Sequence, residues 1–149
     1  MKKLLFLLVF ISGFTFAQGT VKVDLRNPNA TLYTHIYFLM PDSYNVAKAS
    51  TTIRGLTKKE ANEKAIKIKA VLDGMGLVID FTGVPTNANY LDTVLVSSQR
   101  IEKAQHRYAP FPLRLPQVYV EKVGSRWYYS KKTVEQIDAI YERLFPSQL

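Results

Sequence analysis

The sequence predicts an α+β domain: helices packed on a small antiparallel β-sheet, with a C-terminal β-hairpin followed by a closing helix. Three observations carry this. Helix-start signals stand at Asn27-Pro28, at Thr57 and at Ser130. A strand–turn–strand pattern occupies Gln117 to Tyr129. The helical pieces come first, the strands later and one helix last, the order expected of helices segregated onto an antiparallel sheet.

Val21, Val23 and Leu25 alternate with polar residues and read as a short extended lead-in. Asn27 then suits an N-cap, with Pro28 at the first helical position, where its missing N–H costs nothing. Asn29, Tyr33, Ile36, Tyr37 and Met40 recur at helical spacing and form the expected inner stripe of this helix. Pro41-Asp42 ends it, and Asp42 or Asn45 caps a short second helix around Val46 to Thr51.

The clearest helix follows. Thr57-Lys58-Lys59-Glu60 matches a capping box, in which Thr57 and Glu60 each satisfy the other's free backbone N–H. Ala61, Ala65, Ile68 and Leu72 share one face, and most of the lysines lie off it. Gly74 and Gly76 stop the helix. Leu77 to Phe81 reads as a strand, and Thr82 to Asp92 as a loop. Thr93 to about Arg107 reads either as a strand that bends or as irregular chain. Pro110, Pro112 and Pro116 then disfavour helix.

Gln117 to Val123 alternates, with Val118 and Val120 or their neighbours facing inward. Gly124-Ser125 is a two-residue turn of hairpin type, and Arg126 to Tyr129 is the return strand. Ser130 caps the last helix. Its expected buried stripe is Val134, Ile137, Tyr141 and Leu144, and Pro146 ends it.

Residues 1–17 read as a secretory signal peptide. Lys2 and Lys3 precede an uncharged run from Leu4 to Phe16, and Thr15 and Ala17 supply the small residues a signal peptidase reads, with cleavage expected before Gln18. The run is thirteen residues long. A bilayer-spanning helix needs about twenty. Residues 18–149 are then one soluble extracytoplasmic domain by length. The expected location is outside the inner membrane, in the periplasm.

The chain has no cysteine, which excludes disulfides, thiolate nucleophiles, thiolate metal sites and a lipid anchor on cysteine. It carries 20 Lys+Arg against 12 Asp+Glu, a net +8. Without Lys2 and Lys3, 18 basic residues face 12 acidic ones. Export argues against nucleic acid as the partner of that charge. A membrane or cell-wall polymer suits it, and so does a solvated surface with no specific partner.

No motif makes a case for an enzyme, a cofactor or a metal. His35 and His106 lie far apart in sequence and read as structural or surface residues. Asp73, Asp80 and Asp92 sit where aspartates cap and turn. No Gly-x-Ser-x-Gly elbow and no phosphate-binding glycine loop is present. The aromatics carry more information. Trp127 and Tyr129 alternate onto one face and are expected in the core, whereas Tyr128 faces the other way. The expected contact surface is Tyr128 with Arg126, Lys131 and Lys132.

The order of several short motifs adds a resemblance. These are Asn27-Pro28-Asn29-Ala30-Thr31-Leu32, Pro41-Asp42-Ser43-Tyr44, Ile68-Lys69-Ala70-Val71-Leu72-Asp73-Gly74 with Leu77-Val78-Ile79-Asp80, and Val84-Pro85-Thr86-Asn87. The run Val120 to Ser130, leading through Lys131-Lys132-Thr133-Val134, completes the set. Together they resemble the N-terminal extracytoplasmic region of bacterial MscS-like mechanosensitive ion channels. The resemblance implies a non-enzymatic module that assists assembly or gating. Its implied partners are the channel's membrane helices, neighbouring subunits, the cell wall or lipid headgroups. Arg143, Lys131 and Lys132 are expected near the end that would enter the membrane. In the family, transmembrane helices follow this domain, and the 149 residues contain none of them. The two expectations are the soluble part of a longer channel and a free-standing binding protein.

Overall fold

The computed structural model describes residues 19–93 and 105–146. The signal peptide expected over residues 1–17 lies outside them, as does most of the ambiguous stretch before Arg107. The described residues form an α+β fold. Helices α1 (Pro28–Tyr37), α2 (Val46–Ala49) and α3 (Lys58–Gly74) precede the strands β1 (Arg107–Tyr108), β2 (Val120–Val123) and β3 (Arg126–Tyr129), and α4 (Lys131–Leu144) closes the chain. The sheet is antiparallel in the order β1-β2-β3. Gly124, at φ 63°, allows the tight turn between Val123 and Arg126.

The helix starts follow local chemistry. Asn27 accepts from the Ala30 N–H at 2.8 Å, with Pro28 in the first turn. Asn45, not Asp42, caps α2, accepting from the Lys48 N–H. Thr57 and Glu60 form the full capping box of α3. Ser130 accepts from the Thr133 N–H at 3.0 Å to start α4. At the end of α3, Gly76 at φ 65° closes a Schellman motif: the Leu77 N–H donates to Leu72 and the Gly76 N–H to Asp73. Leu72 and Leu77, the paired apolar positions of that motif, are both buried. Gly74 has another role. A Cβ there would lie 2.7 Å from the Phe145 ring, so this glycine admits the chain leaving α4.

Ala61, Ala65, Ile68 and Leu72 line the buried face of α3 as expected, joined by Val71. Asp138 of α4 accepts from Lys64 at 2.6 Å and Lys67 at 2.9 Å, tying the two helices across their seam. Trp127, Tyr129, Val118 and Val120 are buried as their alternation requires.

Four expectations are corrected. The inner face of α1 is not its aromatic stripe: Tyr33 is 41% exposed and Met40 48%, while Thr31, Leu32, Thr34 and His35 are buried. The polar residues face inward because each has a partner there. Thr31 donates to the Trp127 carbonyl, and Thr34 bonds both backbone groups of Asp24. Leu77 to Phe81 forms no strand. The Asn29 amide takes the Phe81 and Val84 carbonyls, and the Asn29 N–H takes that of Pro85, so the segment docks on α1. The stripe of α4 runs through Val134, Ile137 and Ile140; Tyr141 is half-buried and Leu144 exposed. Strand β2 is also shorter than the alternation from Gln117. The Thr133 hydroxyl holds the Gln117 carbonyl at 2.8 Å and accepts from the Tyr119 N–H, taking bonds a ladder would use.

Candidate functional site

The two faces of the sheet differ in chemistry. Cross-strand partners share a face, so Tyr108, Val120 and Tyr129 form one row and Arg107, Glu121 and Tyr128 the other. The first row faces the core. The second faces outward and is rich in charge and aromatic surface. Arg107 lies 5.4 Å from the centre of the Tyr119 ring and pairs with Asp92 at 3.4 Å. Arg54, from the loop between α2 and α3, lies 6.0 Å from the centre of the Tyr128 ring.

A groove of about 250 Å³ opens beside this row. Its walls come from three segments. The loop supplies Arg54 and Leu56, the sheet supplies Glu121 and Tyr129, and the first turns of α4 supply Lys131, Val134 and Glu135. The loop takes its shape from Gly55, at φ 79°, a conformation other residues avoid. Lys131 and Glu135 sit 3.6 Å apart on the rim, both solvent-exposed. No described residue hydrogen-bonds or ion-pairs with the Arg54 guanidinium or the Glu121 carboxylate.

Of the expected contact residues, the structure brings Lys131 to the groove wall, and Tyr128 lies beside the groove under the Arg54 guanidinium. Arg126 lies exposed at the hairpin turn opposite Val123, and Lys132 is exposed outside the groove walls. Arg54, Leu56, Glu121 and Glu135 were not singled out by sequence. The available signal was Arg54-Gly55, a charged residue ahead of a glycine between two helix starts.

His35 is fully buried and bonds Tyr129, one of the groove residues. Its Nε2 is 2.8 Å from the Ala65 carbonyl and its Nδ1 is 2.9 Å from the Tyr129 hydroxyl. A carbonyl can only accept, so Nε2 carries the proton and Tyr129 donates to Nδ1. Burial pushes the imidazole down from 6.5 to about 4, and pushes the Tyr129 phenol up. The pair is a saturated polar unit joining α1, α3 and β3. His106, by contrast, is exposed and bonds the Tyr90 carbonyl.

The aspartates do local work. Asp73 pairs with Lys69 at 2.6 Å. Asp80 accepts from the Thr82 N–H and hydroxyl, which holds its carboxyl below the usual range. Among the described residues, no group of three or more His, Asp or Glu is placed to hold a metal ion. No helix among them is long and apolar enough to cross a membrane.

No protein-family model, curated protein or solved structure matches this chain.

A second surface lies where the chain leaves α4. Leu144 and Phe145 are exposed there, beside Gly74 and Met75 at the end of α3. Arg114 reaches the same place and donates to the Met75 carbonyl at 3.3 Å. Leu113, next to it in the chain, is 95% exposed. Arg114 and Arg143 line a shallow groove of about 290 Å³ with Met75, Leu115, Ile140 and Leu144, and among the described residues no carboxylate lines it. Lys131 and Lys132 are not at this end. They start the 14-residue α4, about 20 Å away at 1.5 Å per residue.

Proposed function

We propose that the chain is a non-enzymatic extracytoplasmic module of the kind that precedes the membrane helices of MscS-like mechanosensitive ion channels, assisting their assembly or gating from the periplasmic side. The observation that carries this reading is the surface at the end of α4. Exposed Leu113, Leu144 and Phe145 lie with Arg114 and Arg143, and among the described residues no acid lines the groove there. Apolar side chains flanked by arginines suit a bilayer interface, where the apolar groups enter the acyl boundary and the guanidinium groups meet phosphates. The chain leaves the fold at the same place. A following membrane helix would therefore hold this surface against the lipid.

The test is the reading frame. Apolar segments of about twenty residues encoded in frame beyond Leu149 support the module. The full-length product would then be assayed by patch recording, with and without this domain. A stop codon directly after Leu149 overturns the attachment. It would leave the second reading, a free-standing extracytoplasmic binding protein, which the charged groove at Arg54 and Glu121 favours.

A further inference from the structure

We propose that the groove between the Arg54 loop, the outer face of the sheet and the start of α4 binds a small zwitterion of the amino-acid class, about the size of a dipeptide.

The argument begins with the charges. Arg54 and Lys131 are cationic, and Glu121 and Glu135 are anionic, all on the walls of one groove. A ligand bearing a single charge would meet two like charges for every two opposite ones. A ligand with a carboxylate at one end and an ammonium at the other can satisfy both pairs. The carboxylate fits Arg54 and Lys131, and a guanidinium offers it two parallel N–H donors. The ammonium fits Glu121 and Glu135.

The Arg54 and Glu121 side of the site is positioned before a ligand arrives. Tyr128 supports the Arg54 guanidinium from below, and Tyr128 is itself held opposite Glu121 in the sheet. Glu121 stands on a central strand, which fixes its backbone on both sides. Such preorganisation lowers the ordering cost of binding. Neither Arg54 nor Glu121 has a hydrogen-bond or ion-pair partner among the described residues, so a ligand breaks no bond of theirs. The Lys131–Glu135 pair is solvent-exposed, and such pairs are held weakly enough to open.

Apolar contact and size complete the site. Leu56 and Val134 form the apolar part of the lining. The volume, about 250 Å³, is below the 300–1,000 Å³ usual for drug-sized ligands. It suits a ligand of two small residues. This inference does not depend on whether the chain continues into a membrane.

The test is titration of the purified full chain with alanyl-alanine, in the L,L and D,D forms, followed by amide resonances. The expected result is saturable shifts at Gly55, Leu56, Tyr129 and Val134. N-acetylation or C-amidation of the dipeptide should each weaken binding about tenfold. Arg54→Gln and Glu121→Gln should weaken the uncapped dipeptide by a similar factor without moving the melting temperature, and Lys132→Gln should change nothing. Arg54→Gln should also narrow the difference between uncapped and C-amidated dipeptide, because Lys131 alone is then left to read the carboxylate. Equal binding of capped and uncapped dipeptide overturns the proposal. So does the lack of any saturable shift up to about 50 mM, a concentration that would reveal even millimolar affinity. Either failure leaves the reading-frame test untouched.

Discussion

The Tyr129 hydroxyl donates to His35 Nδ1 at 2.9 Å inside a fully buried pair, and each ring meets the other edge-on with centres 5.0 Å apart. Protonating His35 would put a charge in the core. It would also turn the Tyr129 acceptor into a second donor.

Stability should therefore fall on mild acidification. His35 titrates at about 4 in the folded chain and at its ordinary 6.5 when unfolded. The unfolded state binds more protons between those values. Stability is thus complete above pH 6.5 and is lost as pH falls toward 4. The shift corresponds to about 3 kcal/mol at most. Urea unfolding at pH 7 and pH 4.5 measures it. Tyr129→Phe removes the donor to Nδ1 and should cost about 1–3 kcal/mol at pH 7. A flat stability profile between pH 7 and 4.5 would contradict the burial of His35.

Trp127→Ala should destabilise by about 3–5 kcal/mol. The indole is fully buried, and its N–H donates to the Ala88 carbonyl at 3.0 Å. Calorimetry reads this directly. A melting temperature close to that of the parent would place Trp127 among contact residues and outside the core.

Gly74 and Gly76 should respond differently to alanine. Gly76 holds φ 65°, so Gly76→Ala should cost about 1–2 kcal/mol. Gly74 is helical, and its conflict is with the ring of exposed Phe145, which can swing away. Helix propensity favours alanine by about 1 kcal/mol there. Gly74→Ala should then be near neutral in urea unfolding, with Phe145 displaced. Equal losses at the two sites would mean the ring cannot move.

The Arg114–Arg143 surface should bind anionic vesicles more tightly than neutral ones. Arg143→Gln should weaken sedimentation with phosphatidylglycerol vesicles about fivefold, from about 1 kcal/mol per surface charge. Leu113→Glu should weaken it further, and salt should weaken it for the parent chain. Equal partitioning onto anionic and neutral vesicles would count against this surface as a lipid contact.

The caps were readable because a cap is local. Asn27, Thr57 and Ser130 each bond a backbone group three residues on, and sequence spacing shows that directly. What failed was whatever depended on distant partners. Leu77 to Phe81 has strand composition, yet a strand needs an edge to pair with, and Asn29 takes the carbonyls instead. Hydropathy set the inner face of α1 on its tyrosines, but Thr31 and His35 face inward because Trp127 and Tyr129 receive them from the far end of the chain. The groove was half visible. Tyr128 and Lys131 stood out by type, whereas Arg54 and Glu121 acquire meaning only when loop, sheet and helix converge.

The bonds of α1 also set an order of events. Thr31 reaches Trp127 across 96 residues, and His35 reaches Tyr129 across 94. Closing such spans precedes any reward from the contacts they bring. A nascent chain short of the hairpin has an α1 whose Thr31 hydroxyl lacks the Trp127 carbonyl and whose His35 Nδ1 lacks the Tyr129 hydroxyl. The contacts of α1 with β2 and β3 form only once almost every residue has been delivered. Full closure of the core around α1 therefore waits for the hairpin.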